Sequence, residues 1–165
     1  MKIVRYLCKP FLILLLLMLM DTHISNLVQS FFPMIYPVAH VLLISLLFLS
    51  INLPDLLTIG LLFLIGILYD AYYFHLIGMV TFILPSMGIF INHFSDILMR
   101  NRWTRCLSVL LLIVFFDSFT FAMASFLGIS MGVLSHFIVY MLAPTLVFNL
   151  GLMLILQPLM EKIYL

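Results

Sequence analysis

Long apolar runs separated by short polar breaks organise this chain. A membrane-crossing helix needs roughly 20 residues at 1.5 Å of rise each. Six runs are candidates: 10–31, 36–51, 55–73, 77–98, 103–127 and 131–157. Pro33 and Pro37 lead into the second run, and Asn52-Leu53-Pro54-Asp55 ends it. Proline suits the first turn of a helix, and Asp55 suits its positive N-terminal end. Pro85 and Pro144 fall inside runs four and six and predict kinks. The loops are short, so consecutive helices should be antiparallel neighbours. The pattern predicts an all-α fold, a polytopic membrane bundle of six transmembrane helices forming a single domain over 1–165.

Composition supports a membrane environment. The chain is 66% hydrophobic and 8% charged, too few polar side chains to cover a water-soluble surface. All seven Lys and Arg fall in three places: Lys2, Arg5 and Lys9; Arg100, Arg102 and Arg105; and Lys162. Six crossings put all of them on one side, with both termini cytoplasmic. Losing any of the first four crossings would split the first two clusters. Trp103 and Tyr164 suit interfacial anchors. Three cations followed by an apolar run look briefly like a signal peptide, but no small-residue cleavage site follows, so a retained first span is expected. The basic loop suits a topology signal or a contact with anionic lipid or a cytoplasmic partner. The clusters are too small for nucleic acid. Cys8 and Cys106 make neither a disulfide framework nor a metal spacing, and no cofactor or metal is expected.

Three aspartates interrupt the apolar runs. Counted from the cytoplasmic ends, Asp21, Asp70 and Asp117 lie about 17–22 Å into a core of about 30 Å. They form one layer in the outer half of the membrane. His23, His40, His75 and His136 lie near the same side, and His93 lies deep on the cytoplasmic side. A charged Asp near the bilayer centre costs about 2.5–3.5 kcal/mol on insertion scales, so these groups should face the bundle interior, an outer cavity or a partner. No cation of the chain reaches them from the inner side. Helix tying, an outward-facing binding cavity and a partner contact all remain open readings.

The densest motif is Gly66-Ile-Leu-Tyr-Asp70-Ala-Tyr-Tyr-Phe-His75-Leu-Ile-Gly78. Gly66 permits close helix approach, Asp70 lies one turn later on the same face, and Gly78 suits a turn. Together they read as a tight outer hairpin with a carboxylate at its neck. The Gly-x3-Asp-x7-Gly hairpin, in a chain of short-looped spans without a soluble part, resembles the MreD family of rod-shape-determining membrane proteins. The resemblance implies a non-enzymatic component of the bacterial cell-elongation machinery in the plasma membrane. It implies pairing with MreC, a bitopic protein, and action with the peptidoglycan glycosyltransferase and transpeptidase of elongation and with cytoskeletal MreB where it exists. It also implies a fold similar to the six-helix substrate-binding subunits of energy-coupling-factor transporters.

That similarity makes a vitamin or micronutrient transporter subunit the alternative. Such subunits usually carry Ala-x3-Ala on the first helix, where this chain has Phe11-Leu-Ile-Leu-Leu-Leu-Leu-Met-Leu-Met20. An intramembrane hydrolase is a third reading, with Asp70 and Asp117 as an aspartyl dyad sharing a proton. The companion Gly-x-Gly-Asp, His-Glu-x-x-His and Gly-x-Ser-x-Gly motifs are missing. The expectation is an assembly protein, with Asp70, Gly66 and Gly78 as first candidates and Asp21 and Asp117 after them.

Overall fold

The structure is a computed structural model that describes residues 2–50, 53–75, 78–129 and 132–164; the side chains of residues 2–8 and 164 are outside the description. The expected run limits at Ile51, Ile77 and Met131 fall outside it too, as do the side chains of Lys2, Arg5, Cys8 and Tyr164. The described residues are helical, with no strand. In order come α1 (Lys2–Phe31), α2 (Val41–Leu49), α3 (Asp55–Tyr69) with a π turn at Asp70–Phe74, α4 (Val80–His93), α5 (Ser95–Leu98) and α6 (Arg102–Phe126). α7 (Leu134–His136) then passes through a π segment, Phe137–Leu142, into α8 (Ala143–Tyr164).

Four helices among the described residues are long and apolar enough to cross a membrane: Lys9–Phe31, Asp55–Phe74, Arg102–Phe126 and Leu134–Ile163. The second and fourth runs depart from the expectation of unbroken spans. In the second, Val41–Leu49 is α-helical, and 35–40 has no regular structure. Proline at 33 and 37 breaks the helix that hydropathy predicts. The fourth run divides at Phe94 into α4 and α5. α1 begins eight residues before the expected start, and α8 runs to Tyr164.

α2 shows why hydropathy misreads the second run. All nine of its residues are buried. A helix apolar on every side is either a membrane span or a core element, and this one is core. It packs against α1, α4, α6 and α8. At about 13 Å it cannot cross a bilayer by itself.

Among the described residues, α3 and α4 pack most extensively. At Gly66 an added Cβ would lie 2.6 Å from the backbone Cα of Thr81, so only glycine allows this approach. Gly66→Ala is expected to cost about 1–3 kcal/mol by overpacking. Thermal unfolding in detergent measures it, and an unchanged midpoint would mean that the helices are not in contact there.

Polar side chains link the starts of α3 and α6 to the ends of α4 and α8. Asn92 Nδ2 donates to Asp55 Oδ1 at 2.8 Å. Glu161 of α8 accepts from Arg102 at 2.8 Å and from Arg105 at 2.6 Å. The basic loop is therefore tied to α8, with Arg100 exposed beside it. The Arg102 side chain is 73% exposed, so that half of the network is screened. Glu161→Gln is expected to change stability by less than about 1 kcal/mol. A larger drop in the same unfolding assay would assign the loop a structural weight that its exposure does not suggest.

Candidate functional site

The break between α1 and α2 places bare backbone inside a helical bundle. Irregular backbone at membrane depth persists only where protein satisfies its polar groups. Here the N–H groups of residues 35–42 all have acceptors, Pro37 having none to place. Ile35 donates to the Phe32 carbonyl at 3.2 Å, and Tyr36 to the Tyr140 carbonyl at 2.8 Å. Val38 donates to Thr145 Oγ1 at 3.0 Å and His40 to Asn149 Oδ1 at 2.8 Å, both on α8. Ala39 donates to Ser25 Oγ at 2.8 Å on α1. Val41 and Leu42 open α2, and both donate to the Asp21 carboxylate, at 2.7 and 3.1 Å. Asp21 is thus an N-cap supplied by a neighbouring helix, where a carboxylate also meets the positive end of the dipole. Asn149 completes the wrap by donating to the Val38 carbonyl at 2.6 Å.

The acceptor at Tyr140 follows from the sequence. Pro144 has no N–H to return to the carbonyl four residues earlier, and that carbonyl takes Tyr36 instead. The π segment Phe137–Leu142 immediately precedes this proline, so the irregularity expected at Pro144 is placed there.

The α3–α4 hairpin repeats the device. Asp70 is fully buried and accepts from Gly78 N at 2.8 Å, Val80 N at 2.7 Å, Thr81 N at 3.0 Å and Thr81 Oγ1 at 2.7 Å. It caps the start of α4 across the turn. His75 in the left-handed region (φ 53°) and Gly78 (φ 122°) reverse the chain.

Asp117 of α6 has a different partner. Its Oδ1 lies 3.0 Å from Nε2 of His40, with both side chains 4% exposed. The approach is electrostatic: neither His40 Nε2 nor Asp117 Oδ2 has a hydrogen-bond partner among the described residues. Phe116 sets its ring edge-on to His40, and Tyr69 does the same to Phe116. The hydroxyls of Thr22 and Tyr73 meet, tying α1 to α3.

The structure therefore brings Asp21, Asp117 and His40 together at the start of α2, and it brings Gly66, Asp70 and Gly78 together in the hairpin. His23, His75 and His136 are exposed and do not join the aspartates; His136 stacks on Tyr140 instead. Asp70 and Asp117, weighed as a proton-sharing dyad, have separate partners. Ser25, Thr145 and Asn149 are additions. Their signal lies in the spacing Asp21/Ser25 and Thr145/Asn149, two polar pairs four residues apart on one face of an apolar helix.

A family model described as rod shape-determining protein MreD matches residues 7–165. The chain is similar to the cell shape-determining protein MreD of Streptococcus pneumoniae (strain ATCC BAA-255 / R6), 37% identical over 155 residues that cover 94% of each chain. No solved structure matches. These matches give no support to the transporter alternative. With nearly its whole length matched, the chain belongs to the MreD family of rod shape-determining proteins.

Proposed function

We propose that this protein is a non-enzymatic assembly component of the machinery that builds the lateral cell wall. It binds the transmembrane helix of MreC and helps to assemble or regulate the elongation glycosyltransferase and transpeptidase, with MreB where it exists. The match to the family over residues 7–165 carries this reading. The geometry supports a scaffold. The carboxylates of Asp21 and Asp70 are engaged by backbone N–H groups, so both act as internal caps.

The same reading places the chain in the bacterial plasma membrane with six crossings and both termini cytoplasmic, as one transmembrane domain. α2 would contribute a crossing together with the break. Nine helical residues add about 13 Å and six extended ones about 20 Å, near a bilayer's thickness. Grouping of Lys and Arg on one side supports that orientation. The test is affinity purification of the native chain from detergent-solubilised membranes. Recovery of MreC with the two synthases is expected, and recovery of none of them would sink the reading.

A further inference from the structure

We propose that the cleft between the start of α6 and the end of α8 holds an anionic phospholipid, its phosphate against Arg102 and an acyl chain along the apolar face beyond. The site does not depend on which proteins the chain assembles with.

The charge around this cleft is unbalanced. In 95–105 and 157–163, Arg100, Arg102, Arg105 and Lys162 stand against two carboxylates, Asp96 and Glu161, an excess of two positive charges. Glu161 does not need both of its guanidinium partners. Arg105 reaches it at 2.6 Å with a side chain only 12% exposed, and Arg105 Nε also donates to the Met99 carbonyl at 3.2 Å. Arg105 is therefore the closed half of the network. Arg102 donates through Nη2 alone among the described residues and keeps the rest of its fork in the open. A planar guanidinium with free N–H groups takes a phosphate through two parallel hydrogen bonds.

The wall beside that charge is apolar. The cleft holds about 280 Å³ and is lined by Arg102, Trp103, Cys106, Leu154, Gln157 and Pro158. Cys106 and Gln157 are buried, with Sγ and Oε1 3.5 Å apart, and form its floor. Trp103 stands 80% exposed at its edge. From there one face of each helix stays open: Trp103, Leu107 and Val114 on α6, and Pro158, Leu154 and Gly151 on α8, spaced by three, four or seven residues. A Cβ added at Gly151 would meet nothing within 4 Å, so the protein does not fill this strip itself. Trp103 to Val114 spans about 17 Å, close to the depth of one leaflet, about 15 Å.

An open cation at the head of an apolar strip matches a ligand with both characters. A free phosphate would use the cation and leave the strip uncovered. A second copy packed here about a twofold axis would set Arg100 and Arg102 against a surface of the same sign. Both helices are long and apolar enough to cross a membrane, so phospholipid is the natural neighbour of their exposed faces, and the excess charge selects the anionic kind. Trp103 suits the rim, because tryptophan favours the level of the headgroups.

Trp103 is the sole tryptophan of the chain, so its fluorescence reads the cleft directly. The full chain is reconstituted into phosphatidylcholine bilayers that carry a fixed fraction of one brominated lipid, either phosphatidylglycerol or phosphatidylcholine. Brominated phosphatidylglycerol is expected to quench with about fivefold higher affinity, the effect of one cation near an anionic headgroup. Arg102→Gln should remove that preference. Glu161→Gln should keep it, because Arg102 loses a competitor, and Lys162→Gln should keep it, because Lys162 does not line the cleft. Far-UV circular dichroism confirms that the variants fold. Equal quenching by the two lipids, or an unchanged preference in Arg102→Gln, overturns the proposal. A loss in Lys162→Gln as large as in Arg102→Gln also overturns it, as diffuse attraction without a site. A loss in Glu161→Gln overturns it by tracing the effect to the ion pair. Relief of quenching by soluble glycerol phosphate would assign the cleft to a free phosphate instead, and quenching by neither lipid would assign it to a second copy.

Discussion

Asp70→Ala is expected to produce the largest loss of stability of any single substitution in the chain. The carboxylate collects three backbone N–H groups and the Thr81 hydroxyl in a site closed to solvent. Truncation strands four donors at roughly 1 kcal/mol each or more, about 4 kcal/mol in total. Water cannot replace the lost acceptor without room to enter, and Gly66 has already brought α4 against α3 at this point. Asp70→Asn keeps one acceptor oxygen and should lose about half as much. Thermal or SDS-induced unfolding of the purified proteins in detergent reads the series. Equal behaviour of the two variants, or a loss below 1 kcal/mol for alanine, would show that the α4 cap is dispensable. MreC recovery gives a separate readout: a folded Asp70→Asn protein should recover as much MreC as the unaltered chain does, because the residue is internal.

His40 and Asp117 provide the second large effect. Leucine at His40 leaves a carboxylate in the bundle with neither oxygen engaged, at a cost of about 3–5 kcal/mol. Replacing both residues with leucine removes the stranded carboxyl group. The double variant should therefore be more stable than His40→Leu alone, with a coupling of about 2 kcal/mol or more in a double-mutant cycle. Additive single losses would mean that the 3.0 Å approach contributes nothing. The N–H of His40 is held by Asn149 and does not depend on the imidazole, so the break should keep its course in the double variant.

The long helices α1, α3 and α6 are legible in the sequence, because their apolar runs have length and end in polar or turn residues. α2 is not. Its run has the same hydropathy as a membrane span, and nothing local separates a helix that faces lipid from one enclosed by four others. Pro33 and Pro37 carry the missing information, but a proline marks where a helix stops without saying what receives the freed backbone. For Asp70 the sequence supplies the position and the hairpin, since Gly66, Asp70 and Gly78 are close in sequence, but it leaves a partner contact open beside the internal role. For Asp21 it supplies the depth alone. Its donors lie on α2, 20 residues away, and the rest of that segment is held by α8. Glu161 could have been anticipated as the carboxylate nearest the C-terminal cation, yet its pairing with Arg102 and Arg105 depends on how α6 and α8 align.

The polar wrap around residues 36–42 also sets the order in which the chain can mature. Thr145 and Asn149 leave the ribosome more than 100 residues after the backbone they satisfy. Until α8 is synthesised and inserted, Val38 and His40 have no acceptor, and the start of α2 rests on α1 alone. The last helix therefore acts as a lock on the second. A chain cut short before Thr145 would keep every hydrophobic run needed for early insertion and still lack a finished core. Such a product would present unpaired backbone within the membrane, a feature by which membrane quality control could tell incomplete copies from complete ones.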